Sequence, residues 1–358
     1  MKTIFKDLKI IELASVLAGP SVGYFFAELG AKVIKIENPK TNGDVTRAWK
    51  LKTENAKEAT SAYFWSVNSN KEFLFLDISS PTHLQKLYAL IAEADIIITN
   101  FKAGNDLKLN IDYPTLSKLN PQLIYASING FGYDKPRTAY DLILQAESGF
   151  MYMNGEPNSK PVKMPVALID LLAGHQLKEA ILIALIKRYQ TKKGCHVSVS
   201  LFDSAIASLA NQATNWLIAK QLPKATGSLH PNIAPYGELF DTKDKQQITF
   251  AIGSNAQFKS LCELIQYPTL ANDSKYANNQ LRVQNRIQLY HIIYNYIKEF
   301  TFKELYQHCL EKEIPIGKIR DLKEVFELPE AKAMINTFLV NKKEISNVSS
   351  IAFKFIAE

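Results

Sequence analysis

Cysteine is scarce. The 358 residues include three (Cys195, Cys262, Cys309), an odd number at spacings that match neither a disulfide framework nor a zinc site. They are expected as buried thiols, and no metal or redox role is assigned to them. Long apolar runs are also missing. The longest aliphatic stretch, Ala180–Ile186, falls far short of the roughly 18 residues that suggest a membrane span. The opening MKTIFKDLKIIELA is interrupted by Lys6, Asp7 and Lys9, unlike the uncharged core of a signal peptide. A cytoplasmic protein with no membrane partner is expected. Clustered charge is absent too. Lys and Arg total 42 against 35 Asp and Glu, a net +7, yet the basic residues are scattered with no basic stretch interleaved with aromatics, so no nucleic-acid partner is expected. A phosphorylated small molecule suits the positive balance equally well.

What is present is an ordinary globular composition, 47% apolar and 22% charged, which excludes disordered and collagen-like chains. The length suggests about two domains. Over the first 200 residues, β-rich runs alternate with helix-like stretches, the signature of an α/β fold with a parallel sheet. Strands are expected at Leu8–Leu13, Lys32–Glu37, Phe73–Ile78, Asp95–Asn100, Leu123–Ile128 and Val162–Ile169, with helices at Pro20–Leu29, Pro81–Ala94 and Leu171–Tyr189. Ligands gather at the carboxyl ends of strands in open α/β sheets, which draws attention to Glu37, Asp77, Asn100 and Asp170. A strand at Cys195–Leu201 and a long helical run from Phe202 to about Ala219 lead to a boundary in Thr226–Gly237. Beyond it, Glu238–Asp241 and Gln247–Ala251 read as a hairpin. Helical patterns follow at Ala256–Ile265, Val283–Lys298 and Thr301–Lys312, giving a smaller α+β domain.

Chemistry is harder to read. Gly19, Gly23 and Gly30 follow the first strand but miss the spacing of a dinucleotide fingerprint. The helix start after Gly19, with Pro20 at its first position, is either a plain βα turn or an anion-accepting end. Asp170 stands between an expected strand and an expected helix. Its plainer role is a helix N-cap; the alternative is a carboxylate nucleophile at the strand's end. Asp141 is either a second N-cap or a second carboxylate beside the first, and His175 reads as structural. Patterning alone stops at a two-domain α/β enzyme with a carboxylate candidate.

Eight strings in order carry more: ELASVLAGPSVGYFFAELGAKVIKIE (12–37), GDVTR (43–47), SNKEFLFLD (69–77), NFKAG (100–104), LIYASINGFG (123–132), the Asp170 segment, VSVSLFDS (197–204) and HPNIAPYG (230–237). Together they resemble the family III CoA transferases of the CaiB/BaiF type. This group includes formyl-CoA transferase, carnitine CoA-transferase and α-methylacyl-CoA racemase. The resemblance implies a Rossmann-like CoA-binding domain over 1–200, a linker helix and loop over 201–230, a small α+β domain over 231–325, and a segment at 326–358 returning to the large domain. It implies an interlocked, ring-like homodimer, no tightly bound cofactor, and acyl-CoA and a carboxylic acid as substrates. Asp170 matches the family's catalytic aspartate, which passes CoA through acyl-aspartyl anhydride and aspartyl-CoA thioester intermediates.

By position in the matched motifs, CoA contacts would come from Leu17, Ala18, Asn38, Leu76, Asp77, Ile78, Ser79, Asn100, Phe101, Lys102, Lys108, Thr138 and Ala139, with Tyr140 and Asp141 in support. Some relatives carry Gln where this chain has Leu17, and Arg where it has Asn38. The relatives' mobile glycine-rich loop corresponds to Gly253, Ser254, Asn255, Ala256 and Gln257, with a single glycine, so either a lid or a plain helix start fits. The racemases have a His where this chain has Tyr140, and a phenol titrating near 10 is a poor base, which favours transfer over racemisation. A non-catalytic CoA-binding subunit is the remaining alternative.

Overall fold

The computed structural model describes residues 3–356. The chain forms two compact units. One takes the chain up to Met151, Lys163–Pro223 and the chain from Ala333; the other takes Tyr152–Val162 and Lys224–Lys332.

The first unit is built on six strands: β1 (Lys9–Glu12), β2 (Lys32–Glu37), β3 (Glu72–Phe75), β4 (Ile96–Thr99), β5 (Ile124–Asn129) and β6 (Cys195–Ser200). All pair in parallel, in the order β3-β2-β1-β4-β5-β6. This is the doubly wound order, whose ligand crevice opens where the strand order reverses, between β1 and β4. Side chains of a strand alternate between its faces, and here both faces are apolar. Ile10, Ile96, Ile98 and Ile124 pack in one core with α1 (Ala18–Glu28) and α4 (Leu168–Thr191), while Ile11, Ile97 and Tyr125 pack in another with α2 (Pro81–Ala92). A short helix, α3 (Asp141–Glu147), precedes α4 in the chain, and α5 (Leu201–Ala207) and α6 (Ala210–Leu217) follow β6. Helices α1 and α4 approach closely at Gly174, where a Cβ would lie 2.5 Å from the Ser21 hydroxyl and 3.2 Å from the Ala18 carbonyl.

Several expectations are corrected. Residues 162–167 form no strand: Pro161 and Pro165 remove backbone donors from any ladder, most of the segment is exposed, and the sixth strand comes from Cys195–Ser200. Helix α4 therefore starts earlier than expected, and Asp170 is its third residue, with Ala167 at the cap position. The helical run after β6 is two helices, broken at Ser208–Leu209 with Ala210 at φ +46°.

The second unit pairs the expected hairpin, Tyr236–Asp241 with Gln247–Ala251, and adds Ile316–Lys318, all antiparallel. Helices at Asn255–Leu264, Arg286–Ile297 and Phe302–Glu311 pack on it through Phe258, Leu261, Ile293 and Leu305. The expected Val283–Lys298 helix is interrupted at Asn285, which caps one helix and precedes the next. All three cysteines are free thiols; Cys262 and Cys309 are buried, and burial pushes each up to about 12. Among the described residues, no helix is long and apolar enough to cross a membrane.

Candidate functional site

The crevice at the strand reversal is tied across by Asn100. Its amide donates to the Ser15 carbonyl (2.7 Å) and accepts from the Ser15 N–H (3.0 Å), so the loop after β4 grips the loop after β1. A cavity of about 200 Å³ opens beside this clasp, lined by Ser15, Val16, Asn100, Thr138, Tyr140 and Asp170, among others. Lys102, Lys135 and Arg137 also line it. The Arg137 guanidinium is paired with Glu147 and lies 4.1 Å from the centre of the Phe131 ring.

Asp170 is 7% exposed, and its carboxylate accepts no hydrogen bond from any described residue. It makes no N-cap either. The N–H of Ile169 is taken instead by Asp141 Oδ1 at 2.8 Å. Asp141 Oδ2 accepts from the Gln145 amide at 2.6 Å, and Gln145 Oε1 accepts the Met164 N–H at 2.8 Å. The two residues, at the ends of one turn of α3, therefore brace both the segment leading into α4 and the first turn that carries Asp170. Burial, and secondarily the Asp141 charge, raise the Asp170 carboxyl to about 7. Its charged form is correspondingly poorly solvated, as an attacking carboxylate needs to be.

A larger cavity of about 910 Å³ shares Ser15 and Phe101 with the smaller one. Asn38, Leu76, Asp77, Ile78 and Ser79 line it. Asn38 is already engaged, its side chain accepting from the Lys40 N–H at 2.9 Å. Lys40 in turn pairs with Asp77 at 2.7 Å, and the Lys40 and Ser79 hydrogen bonds hold the Asp77 carboxyl down at about 2.

Of the residues singled out in sequence, Ala18, Asn100, Phe101, Lys102, Thr138, Ala139, Tyr140 and Asp170 meet at the smaller cavity. Leu17 is buried against Tyr24 and Val67 and lines neither cavity; nor does Lys108. Gly253, Ser254 and Asn255 belong to the second unit. There Ser254 caps the helix Asn255–Leu264 and forms a capping box with Gln257. Sequence reasoning missed Gln145, whose role depends on the fold, and Tyr63. Burial raises the Tyr63 phenol to about 12, aided by the negative charges of Asp170, Asp141 and Asp44, which places it in the same field. Its ring meets Trp49 edge-on at 5.2 Å. Nothing in its short AYFW helix marks it beforehand.

Residues 5–355 match the family described as CoA-transferase family III. The chain is 37% identical over 338 residues to a succinate–glutarate CoA-transferase of Agrobacterium fabrum, covering 93% of this chain and 84% of that one. It is also 37% identical to a succinyl-CoA:glutarate CoA-transferase of Mus musculus, covering 92% and 75%. Its fold matches the crystal structure of a CaiB/BaiF family protein from Brucella suis with a TM-score of 0.83 at 36% identity, covering 99% of this chain and 93% of that one.

Proposed function

The chain belongs to the family III CoA-transferases, which use CoA thioesters as substrates, and from that premise we propose that Asp170 is the nucleophile through which it moves CoA from an acyl-CoA to a carboxylic acid. An Asp170 oxygen attacks the thioester carbonyl, the C–S bond breaks, and CoA leaves as the thiolate, so that a mixed anhydride of the acyl group and Asp170 remains. The thiolate then attacks Cγ of Asp170, releasing the donor acid as its carboxylate and leaving an aspartyl-CoA thioester. The acceptor carboxylate attacks that Cγ, expels the thiolate again, and forms a second anhydride. Attack of the thiolate on the acceptor's carbonyl yields the new thioester and frees Asp170.

The observation that carries this reading is a buried carboxylate that lines a cavity and has no hydrogen-bonding partner. A structural aspartate at a helix start would spend its oxygens on backbone N–H groups; here Asp141 does so instead. Both covalent intermediates are hydrolysable, so bound substrate has to displace water from the cavity around Asp170. The nucleotide end of CoA would occupy the larger cavity against Asn38, Leu76–Ser79 and Phe101. The thioester would reach Asp170 past Ser15, Asn100 and Lys102. Lys102 would meet a CoA phosphate as a charge-assisted donor.

The named substrates of the relatives make succinyl-CoA and glutarate the first pair to test. Glutaryl-CoA formation by the purified chain, lost in Asp170→Asn, supports the proposal; undiminished exchange in that variant would end it. We also propose a two-chain assembly. The exposed Ile183, Ile186 and Tyr189 on α4, with Trp216, Leu217 and Ile218 around the end of α6, supply apolar surface that a second copy would cover. Light scattering that gives the mass of a single chain would contradict it.

A further inference from the structure

Four charged side chains lie buried beneath the loop that joins β1 to α1: Glu12 at 0% exposure, Lys35 at 1%, Asp44 at 5% and Lys71 at 8%. They alternate in sign. Lys71 Nζ meets Glu12 Oε2 at 2.8 Å, Glu12 Oε1 meets Lys35 Nζ at 2.9 Å, and Lys35 Nζ meets Asp44 Oδ2 at 3.0 Å. The space is made by Gly23 on α1, where a Cβ would fall 1.8 Å from Glu12 Oε2. Buried ion pairs give little net stability, because desolvation offsets their attraction, so the network's value is sought in what its remaining bonds hold.

Three of those bonds end on the backbone of one short segment. Lys35 donates to the Ala14 carbonyl at 2.6 Å, Asp44 accepts the Val16 N–H at 3.2 and 3.3 Å, and Lys71 donates to the Pro20 carbonyl at 2.9 Å. Val16 has φ +71°, a left-handed conformation that β-branched residues seldom adopt and that persists only where surrounding contacts impose it. Ser15, Val16 and Ala18 line the cavity that holds Asp170. Asp44 is itself fixed from the other side: its N–H donates to Glu37 Oε1 at 2.9 Å, and Glu37 is paired with Arg47 at 2.6 Å.

We propose that Asp44 is a positioning residue for CoA transfer: braced by Lys35, it holds Val16 in the left-handed conformation and so sets the loop wall against which the thioester meets Asp170. This rests on the reading of Asp170 as the nucleophile. Asp44 also caps the short helix Val45–Ala48 through the Thr46 N–H at 3.0 Å, a structural role that asparagine can keep.

The test therefore uses Asp44→Asn, which keeps the cap but removes the charge and one acceptor oxygen, together with Val16→Gly and the double variant. Glycine adopts positive φ without steric cost, so it does not need the clamp. In succinyl-CoA:glutarate exchange, Asp44→Asn is expected to lower kcat about tenfold, or about 1.4 kcal/mol on the barrier, with KM for the thioester changed less than about twofold. The double variant is expected to return most of that loss, measured against Val16→Gly alone. A folded Asp44→Asn with wild-type kcat overturns the proposal, as does a double variant that falls as far below Val16→Gly as Asp44→Asn falls below the wild type. If Asp44→Asn fails to fold, recovery of both fold and exchange in the double variant supports the clamp, and failure to recover overturns it. Hydroxylamine capture at Asp170 in the wild type keeps the two readings apart, since its absence removes the nucleophile whatever Asp44 does.

Discussion

Replacing Asp170 by Asn should abolish exchange and stabilise the fold. The gap between about 7 in the folded chain and the ordinary 3.8 corresponds, at about 1.36 kcal/mol per decade, to about 4 kcal/mol. The sign follows from linkage. The folded pKa lies above the unfolded one, so the associated stability is fully present below about pH 4 and is lost as pH rises to about 7; above that, the folded chain carries the whole penalty of a poorly solvated carboxylate. Asparagine never ionises and avoids the penalty. It forfeits the attraction between a charged third residue and the positive end of α4, about 0.3–1 kcal/mol, but no cap bond, since Asp170 makes none. The net gain at about pH 8 is therefore on the order of 3 kcal/mol, or a Tm rise on the order of 5 °C. It should shrink to under about 2 kcal/mol near pH 5, where the folded wild type is protonated. Urea unfolding of both proteins at these two pH values measures it. A variant that is less stable than wild type, or whose advantage does not grow with pH, refutes the claim that burial sets the state of this carboxyl.

Three further outcomes follow from the same geometry. Only the ionised Asp170 attacks, so kcat should rise about tenfold per unit below pH 7 and level off above it; a flat profile between about pH 5.5 and 8 would contradict this. Asp141→Asn keeps an acceptor for the Ile169 N–H but removes the second cause of the raised Asp170 pKa, so the midpoint of that profile should move to lower pH, and an unmoved midpoint would leave burial alone responsible. Gly23→Ala drives a methyl group into the Glu12 carboxylate and should destabilise by about 3 kcal/mol or more, the usual result of breaking a buried ion pair; a loss under about 1 kcal/mol by urea unfolding would show that the network can rearrange.

The strands flanking the crevice were legible because a parallel sheet buries both faces, so segments such as Ile96–Thr99 and Ile124–Ile128 are almost wholly apolar. The same criterion misled at 162–169, where VKMPVALI is apolar enough for a strand but Pro165, the preceding Pro161 and the exposure of 162–166 prevent one. Asp170 was singled out through its motif, and its position in the first turn of α4 replaced the strand end expected for it. The buried network was not legible. Nothing in the sequence marks Lys35 and Lys71 as buried, and their partner Glu12 lies 23 and 59 residues away. Asp44 stands in the quoted GDVTR string, yet only the fold brings it to the Val16 N–H. Tyr63 and Gln145 share this character: each acts through neighbours that are distant in the chain or supplied by another element.

The most direct test of the central claim is mass spectrometry of the wild type mixed with succinyl-CoA and quenched with hydroxylamine, followed by peptide mapping. A hydroxamate on Asp170, formed from the anhydride or the aspartyl-CoA thioester and absent without succinyl-CoA, is the expected result. An unmodified Asp170 peptide in a sample that is actively exchanging CoA would contradict it.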